Sequence, residues 1–130
     1  MREEDALAAV QAAIAHARDQ DLRITVAAVD AGGHLKALIR MDGAPFHGVT
    51  LATDKARTSA GFGTPTAVWK DRIGARAHLL EGLNGRDGFI PIGGGHPVFR
   101  DGVLVGALGV SGATEDQDCD IAAAGVAVIR

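Results

Sequence analysis

The amino-acid sequence predicts an α/β (α+β) fold made of an N-terminal helix, a β-hairpin, one or two middle helices, three further strands and a C-terminal helix. Three observations carry this prediction. Leu7, Val10, Ile14 and Ala17 recur at helical spacing, with Arg2, Glu3, Glu4, Gln11, Arg18 and Asp19 mostly on the other faces. A β-branched run, Ile24 to Asp30, leads through Asp30-Ala31-Gly32-Gly33, all turn-competent, into His34 to Arg40. Asp101-Gly102 then stands between apolar runs as a two-residue hairpin signal. Val103 to Val110, which follows it, lacks the alternation of a half-exposed strand and reads as the buried centre of a sheet.

The remaining elements follow in order. In the second arm of the first hairpin Leu35, Ala37 and Ile39 alternate with His34, Lys36 and Arg40, which predicts one buried and one wet face. Met41 to Gly48 reads as a loop, interrupted by Gly43, Pro45 and Gly48. Val49, Ala52, Ala56 and Ala60 define the apolar face of a second helix, with Asp54, Lys55 and Arg57 elsewhere. Gly61-Phe62-Gly63 ends it, and Thr64-Pro65 restarts a helix as N-cap and first residue, carrying Trp69, Ile73 and His78. Phe89 to Ile92 is expected to be a short strand whose Pro91 marks a sheet edge or strand end. Thr114 to Gln117 fits a capping box opening a helix that runs to Ile129, with Glu115, Asp116, Asp118 and Asp120 at its favourable positive end.

Composition narrows the function classes. The length is that of one domain, residues 1–130. A net charge of -3 with scattered Lys and Arg argues against nucleic acid, and the absence of tyrosine with a single tryptophan argues against a base-stacking platform. A single cysteine, Cys119, excludes an internal disulfide and a cysteine-based zinc cluster, and fits a reducing compartment. Without a leader or a long apolar run, the expectation is a soluble cytoplasmic protein with no membrane partner. The 18 glycines and many alanines suggest close backbone packing within or between subunits.

The stretch with most chemical content is Gly93-Gly94-Gly95-His96-Pro97. Three glycines allow close approach of a ligand or a packed chain, and His96 beside them could ligate haem or a metal, act as general acid/base, or merely hydrogen-bond a strand end. His47 beside Phe46 could line an apolar pocket, or be a partnerless histidine at a helix entry. His16 reads as a helix-end imidazole interacting with the dipole, and His34 as a solvated residue at the edge of a turn. The four acids around Cys119 fan around a helix instead of converging on a cation, and they oppose an activated thiolate.

Ala28-Val29-Asp30 with Gly33 and Leu35, Arg40 to Ala44, Ala52 with Lys55 to Thr58, Pro65-Thr66, Gly93-Gly94 with Pro97, Gly106 with Gly109 to Gly112, and Gln117-Asp118 with Gly125 together resemble the GlcG/HbpS family. That family includes the C-terminal domain of PduO-type corrinoid adenosyltransferases. The resemblance spans nearly the whole chain. It implies a profilin-like or roadblock-like five-stranded antiparallel sheet flanked by helices, assembled into dimers or larger oligomers such as octamers. Several members bind haem, some are described as haem-degrading, and many have no established activity. Two departures stand out: His96 replaces a commonly aliphatic residue, and Cys119 a common glutamate.

Three readings of function result. In the first the chain is a small-ligand-binding protein whose ligand is haem. His96, His47 or His16 ligates the iron, Gly93, Gly94, Gly95 and Phe46 line the site, and Arg40, Lys55 or Arg57 pairs with propionates; no Cys-x-x-Cys-His attachment motif occurs. In the second it is an isomerase, lyase or hydrolase in which His96 moves a proton while Asp42, His47 or Arg40 polarises or anchors a small-molecule substrate, although no nucleophile or metal-binding motif such as His-Glu-x-x-His occurs. In the third it is a homo-oligomeric accessory protein without catalysis. No metal site is expected.

Overall fold

The computed structural model describes residues 1–130. Its elements are α1 (Glu3–Asp19), β1 (Thr25–Asp30), β2 (Leu35–Arg40), α2 (Gly48–Phe62), a 3₁₀ turn (Thr66–Val68), α3 (Trp69–Ile73), α4 (Ala77–Leu83), β3 (Gly95–Arg100), β4 (Val103–Ser111) and α5 (Glu115–Val126). The sheet has four strands in the order β2-β1-β4-β3, every neighbouring pair antiparallel. Helices α1 and α5 cover one face and α2 the other, so the α+β, antiparallel, helix-flanked character stands.

The larger core lies between the sheet and the α1–α5 layer, where Val26, Ala28, Val98, Leu108 and Val110 meet Val10, Ala13, Ile121 and Ala122. Against α2 the core is thinner, made of Val29, Ala107, Ala56 and Ala60. Small residues set these distances. A Cβ on Gly109 would strike the Ala52 carbonyl and the Ala56 amide, so α2 crosses β4 nearly in backbone contact. A Cβ on Gly125 would strike Leu108 and the Ala9 carbonyl where α5 meets α1. The β3–β4 turn has Asp101 at φ 52° and Gly102 at φ 77°, the double left-handed conformation of a tight type I′ hairpin.

Several expectations are corrected. Phe89 to Ile92 forms no strand, so the sheet has four strands and not five. Its backbone is held by side chains, Ile90 N–H donating to the Thr58 hydroxyl at 2.9 Å, while Phe89 packs edge-on against Trp69. The buried stripe of α1 is Ala6, Ala9, Val10, Ala13 and Ala17, and Leu7 stays exposed. The alanines let α1 settle close over β1, which leaves Leu7 outside the contact. Leu35 and Ile39 are likewise exposed, because β2 is an edge strand at the margin of the helical cover. Thr64 caps nothing: its carbonyl accepts from Ser59 while its own hydroxyl is buried and unpaired, and Pro65 takes the cap position of the 3₁₀ turn. The capping box of α5 is formed by Thr114 and Gln117, but the helix ends at Val126, short of Ile129. The central strand is β4, as expected, although Val103 at its first position is exposed.

Candidate functional site

Both strand connections and helix starts that carry the candidate residues gather at one end of the sheet, where β2 ends, β1 and β3 begin and β4 finishes. The candidates divide there into an internal group and a surface group.

The internal group is the glycine loop with Lys55. A Cβ at Gly93 would meet Cys119 Sγ and the Glu115 carboxylate, one at Gly94 the Val110 carbonyl and Lys55, and one at Gly95 the Lys55 carbonyl and Thr66. The close approach that three glycines permit is therefore used up by this chain's own α2, β4 and α5. Hydrogen bonds fasten the loop: Gly93 N–H donates to Glu115 Oε2 at 3.1 Å, Gly95 N–H to the Thr66 hydroxyl at 2.8 Å, and Val110 N–H to the Gly94 carbonyl at 2.9 Å. Beneath it the Lys55 ammonium is buried, donating to the Val110 carbonyl at 2.9 Å and to Asp118 Oδ2 at 3.2 Å. Asp118 also accepts from the Ala113 amide. Burial raises the Asp118 carboxyl above the ordinary range, opposed by Lys55 and by the Ala113 and Gly112 amides. An ammonium held in this way does not reach a propionate at the surface.

His96 belongs to β3, not to the loop. It pairs with Leu108, is half-buried, and has Nδ1 3.1 Å from the Pro97 carbonyl. It lines none of the three clefts of the surface. Cys119, behind the loop, has its thiol pushed up by burial first, with Asp118 and Asp116 adding to the effect and the Gly94 amide and Lys55 opposing it.

The surface group occupies the β2–α2 connection. Phe46 is 72% exposed, and its ring centroid lies 4.1 Å from that of His47, itself exposed at the entry to α2. The Arg40 guanidinium donates to the Ala44 carbonyl at 2.9 Å, which folds the loop back and leaves its other N–H groups free. Arg40 and Asp42 also line a neighbouring cleft of about 440 Å³ with Ile14, Ile39 and Met41 on its apolar side and Arg18 and Arg23 beside them. Arg40, Asp42, Phe46 and His47 thus share the β2–α2 connection, Arg40 and Asp42 lining the cleft and Phe46 and His47 outside its lining, all apart from Lys55, the glycines and His96. No hydrogen bond joins Asp42 to His47, and no three His, Cys, Asp or Glu side chains converge.

Residues 1–127 match the HbpS-like family of haem-degrading proteins. The chain belongs to that family. It is 36% identical over 123 residues to the corrinoid adenosyltransferase PduO of Salmonella typhimurium, covering 92% of this chain and 36% of that protein. It therefore spans little more than a third of the adenosyltransferase. With protein GlcG of Escherichia coli K12 it shares 33% identity over 117 residues, covering 85% of this chain and 81% of GlcG. Among solved structures, a double mutant of HbpS from Streptomyces reticuli superposes with a TM-score of 0.91 at 33% identity, covering all of this chain and 87% of that one. PduOC in complex with haem superposes with a TM-score of 0.87 at 31% identity, covering all of this chain and 95% of that one.

The donor chemistry of the β2–α2 connection fits a haem. An exposed imidazole without a hydrogen-bond partner and an exposed aromatic ring are what an axial ligand and a porphyrin face require, and Arg40 links them to the neighbouring cleft, where Arg18 and Arg23 add the guanidinium groups that propionates require. The other four histidines fit less well: His78, exposed on α4, stacks on no aromatic ring and lines none of the clefts. His16 Nε2 is engaged with Asp120 Oδ2 at 2.8 Å, His34 Nδ1 lies 3.3 Å from Asp30, and His96 is half-buried within the sheet.

Two features of the fold escape local sequence reasoning. Asp118 as the partner of Lys55 and Thr58 as the anchor of the 88–90 segment both depend on contacts between distant elements. The only local signal is a polar side chain one helical turn from small apolar ones.

Proposed function

We propose that this chain binds haem at the β2–α2 connection. His47 ligates the iron, Phe46 lies against the porphyrin, and Arg40, with Arg18 and Arg23 of the adjoining cleft, faces the propionates. The observation that carries the reading is the Phe46–His47 pair, a large aromatic ring left 72% in water against an imidazole with both nitrogens free of protein partners. Membership in a family of haem-degrading proteins and the likeness to PduOC, solved with haem, support it.

When bound, haem supplies a redox-active iron. The residues of this chain orient it: Arg40, tied to the Ala44 carbonyl, holds the loop against the sheet end, and α2 fixes the backbone from which His47 projects. Haemin titration followed through the Soret band tests the reading in the wild type and in His47→Ala, His96→Ala and His16→Ala. Loss of an axial ligand should weaken binding at least as much as loss of a group supporting one, about tenfold or more, and only in His47→Ala. A loss confined to His96→Ala or His16→Ala moves the iron to another face and overturns the assignment. No Soret change in the wild type overturns haem binding itself.

A further inference from the structure

At the opposite end of the sheet the C-terminal turn of α2, the β1–β2 turn and the 83–89 segment enclose a second cleft of about 300 Å³. Neither the glycine loop nor the haem reading uses it. We propose that this cleft is a binding site for a small organic acid with a flat apolar body, an arylacetate-like monocarboxylate. Its volume is at the lower limit of ligand pockets, suited to a single ring and too small for a porphyrin.

The walls supply both halves of such a ligand's recognition. Phe62 and Phe89 stand edge to face with centroids 6.0 Å apart, and Phe62 is 49% exposed, so aromatic surface is offered to whatever enters. Across from them are two guanidinium groups, Arg57 and Arg86. The one carboxylate of the lining, Asp87, has a side chain 95% exposed and lies 3.6 Å from Arg57, while the Arg86 guanidinium reaches only the Gly82 carbonyl, at 3.4 Å. Asp54, one turn before Arg57, does not line the cleft, but its carboxylate lies near enough to Arg57 to be stabilised by it, so Arg57 is already balanced and Arg86 is the unpaired cation. The planar fork of N–H donors on Arg86, which has no ion-pair partner, matches a carboxylate better than any neutral group.

The cleft is also preformed. The Thr58 hydroxyl donates to the Gly88 carbonyl at 3.0 Å and accepts from the Ile90 amide at 2.9 Å, pinning the outer wall to α2. The Arg57 guanidinium lies directly on Gly88, where a Cβ would collide with it. On the helix wall, Gly61 has nothing within 4 Å of a Cβ position, so the mouth is kept open by the absence of a side chain.

Trp69, the only tryptophan of the chain, packs edge-on against Phe62 at 4.8 Å and Phe89 at 5.1 Å, which makes its emission a reporter of the site. Phenylacetate is the probe, titrated by Trp69 fluorescence and by calorimetry, with phenylacetamide and inorganic phosphate as the ring-only and charge-only controls. Expected is saturable phenylacetate binding, at least about tenfold tighter than either control, as the loss of a charge-assisted hydrogen bond implies. Arg86→Gln should weaken it by a similar factor. Gly61→Leu, which projects into the mouth, should abolish it. If Gly61→Leu does not melt cooperatively, Arg86→Gln decides. The proposal is overturned if neither signal saturates, if phenylacetamide binds equally well, or if binding survives unchanged in a folded Gly61→Leu or in Arg86→Gln. None of these outcomes depends on haem, whose titration uses the other end of the molecule.

Discussion

Lys55 and Asp118 lie 63 positions apart in the chain and form its one ion pair with both side chains almost wholly buried. Each has further partners, Lys55 the Val110 carbonyl and Asp118 the Ala113 amide, so the pair ties α2, β4 and the start of α5 together. Desolvating two charges offsets most of their attraction, yet removing one of them strands the other. Asp118→Asn should therefore destabilise the chain by about 3–5 kcal/mol, read from urea denaturation. The double variant Lys55→Met with Asp118→Asn should be less unstable than the sum of the two single changes. Additive losses would mean that the two side chains act independently. The helical period correctly sets Ala52, Ala56 and Ala60 on the covered face of α2, but it leaves Lys55 off that face, where the structure buries it. Nothing within a few positions of Lys55 announces a carboxylate supplied by another helix.

At the scale of elements, segments whose signal is local match their sequence. The capping box at Thr114, the Asp101-Gly102 turn and the Asp30 to Gly33 turn are each specified by the residues that make them. Phe89 to Ile92 shows the converse: its composition suits a strand, but the β3 edge is not where its amide bonds, and Thr58 of α2 takes the Ile90 N–H instead. The Asp30 turn carries a pH signature. Its Oδ1 accepts from the His34 amide at 3.0 Å and the Gly32 amide at 2.9 Å, and the His34 bond above all lowers its carboxyl pKa. A lowered folded pKa binds the proton less tightly than the unfolded chain does. The stabilisation is therefore complete above the unfolded carboxylate value of about 3.9 and is lost as pH falls through the lower folded value. Thermal melts of Asp30→Ala should lie below wild type at neutral pH, with the gap narrowing below that value. A gap independent of pH would leave the ionised carboxylate without a part in the turn.

For the molecule as a whole, the two edges of the sheet differ in a way that bears on self-association. β3 is protected by Pro97, by the irregularity between Val98 and Phe99, and by Arg100, whose guanidinium is occupied with Asp5 and the Arg130 carbonyl. β2 has no proline, and the face it shares with α1 leaves Leu35 53% and Ile39 47% exposed. Leu7 is 54% exposed and falls on the same helical stripe as the half-buried Ile14, so β2 carries an apolar band beside its unpaired edge and α1 adds exposed apolar surface of its own. The same alternation that predicts a buried face on β2 is thus present in the sequence but is not satisfied within one chain, since Leu35 and Ile39 stay exposed although α1 packs on both β1 and β2. A band of this kind is stable in water when another copy covers it. Light scattering at micromolar concentration should accordingly give a mass above the 13.3 kDa of the single chain. Leu35→Lys with Ile39→Lys should return the mass toward that value, without loss of the circular dichroism of the fold, because neither side chain belongs to the core. A wild-type mass of one chain would refute self-association, and an oligomer unaffected by the double change would shift it away from β2.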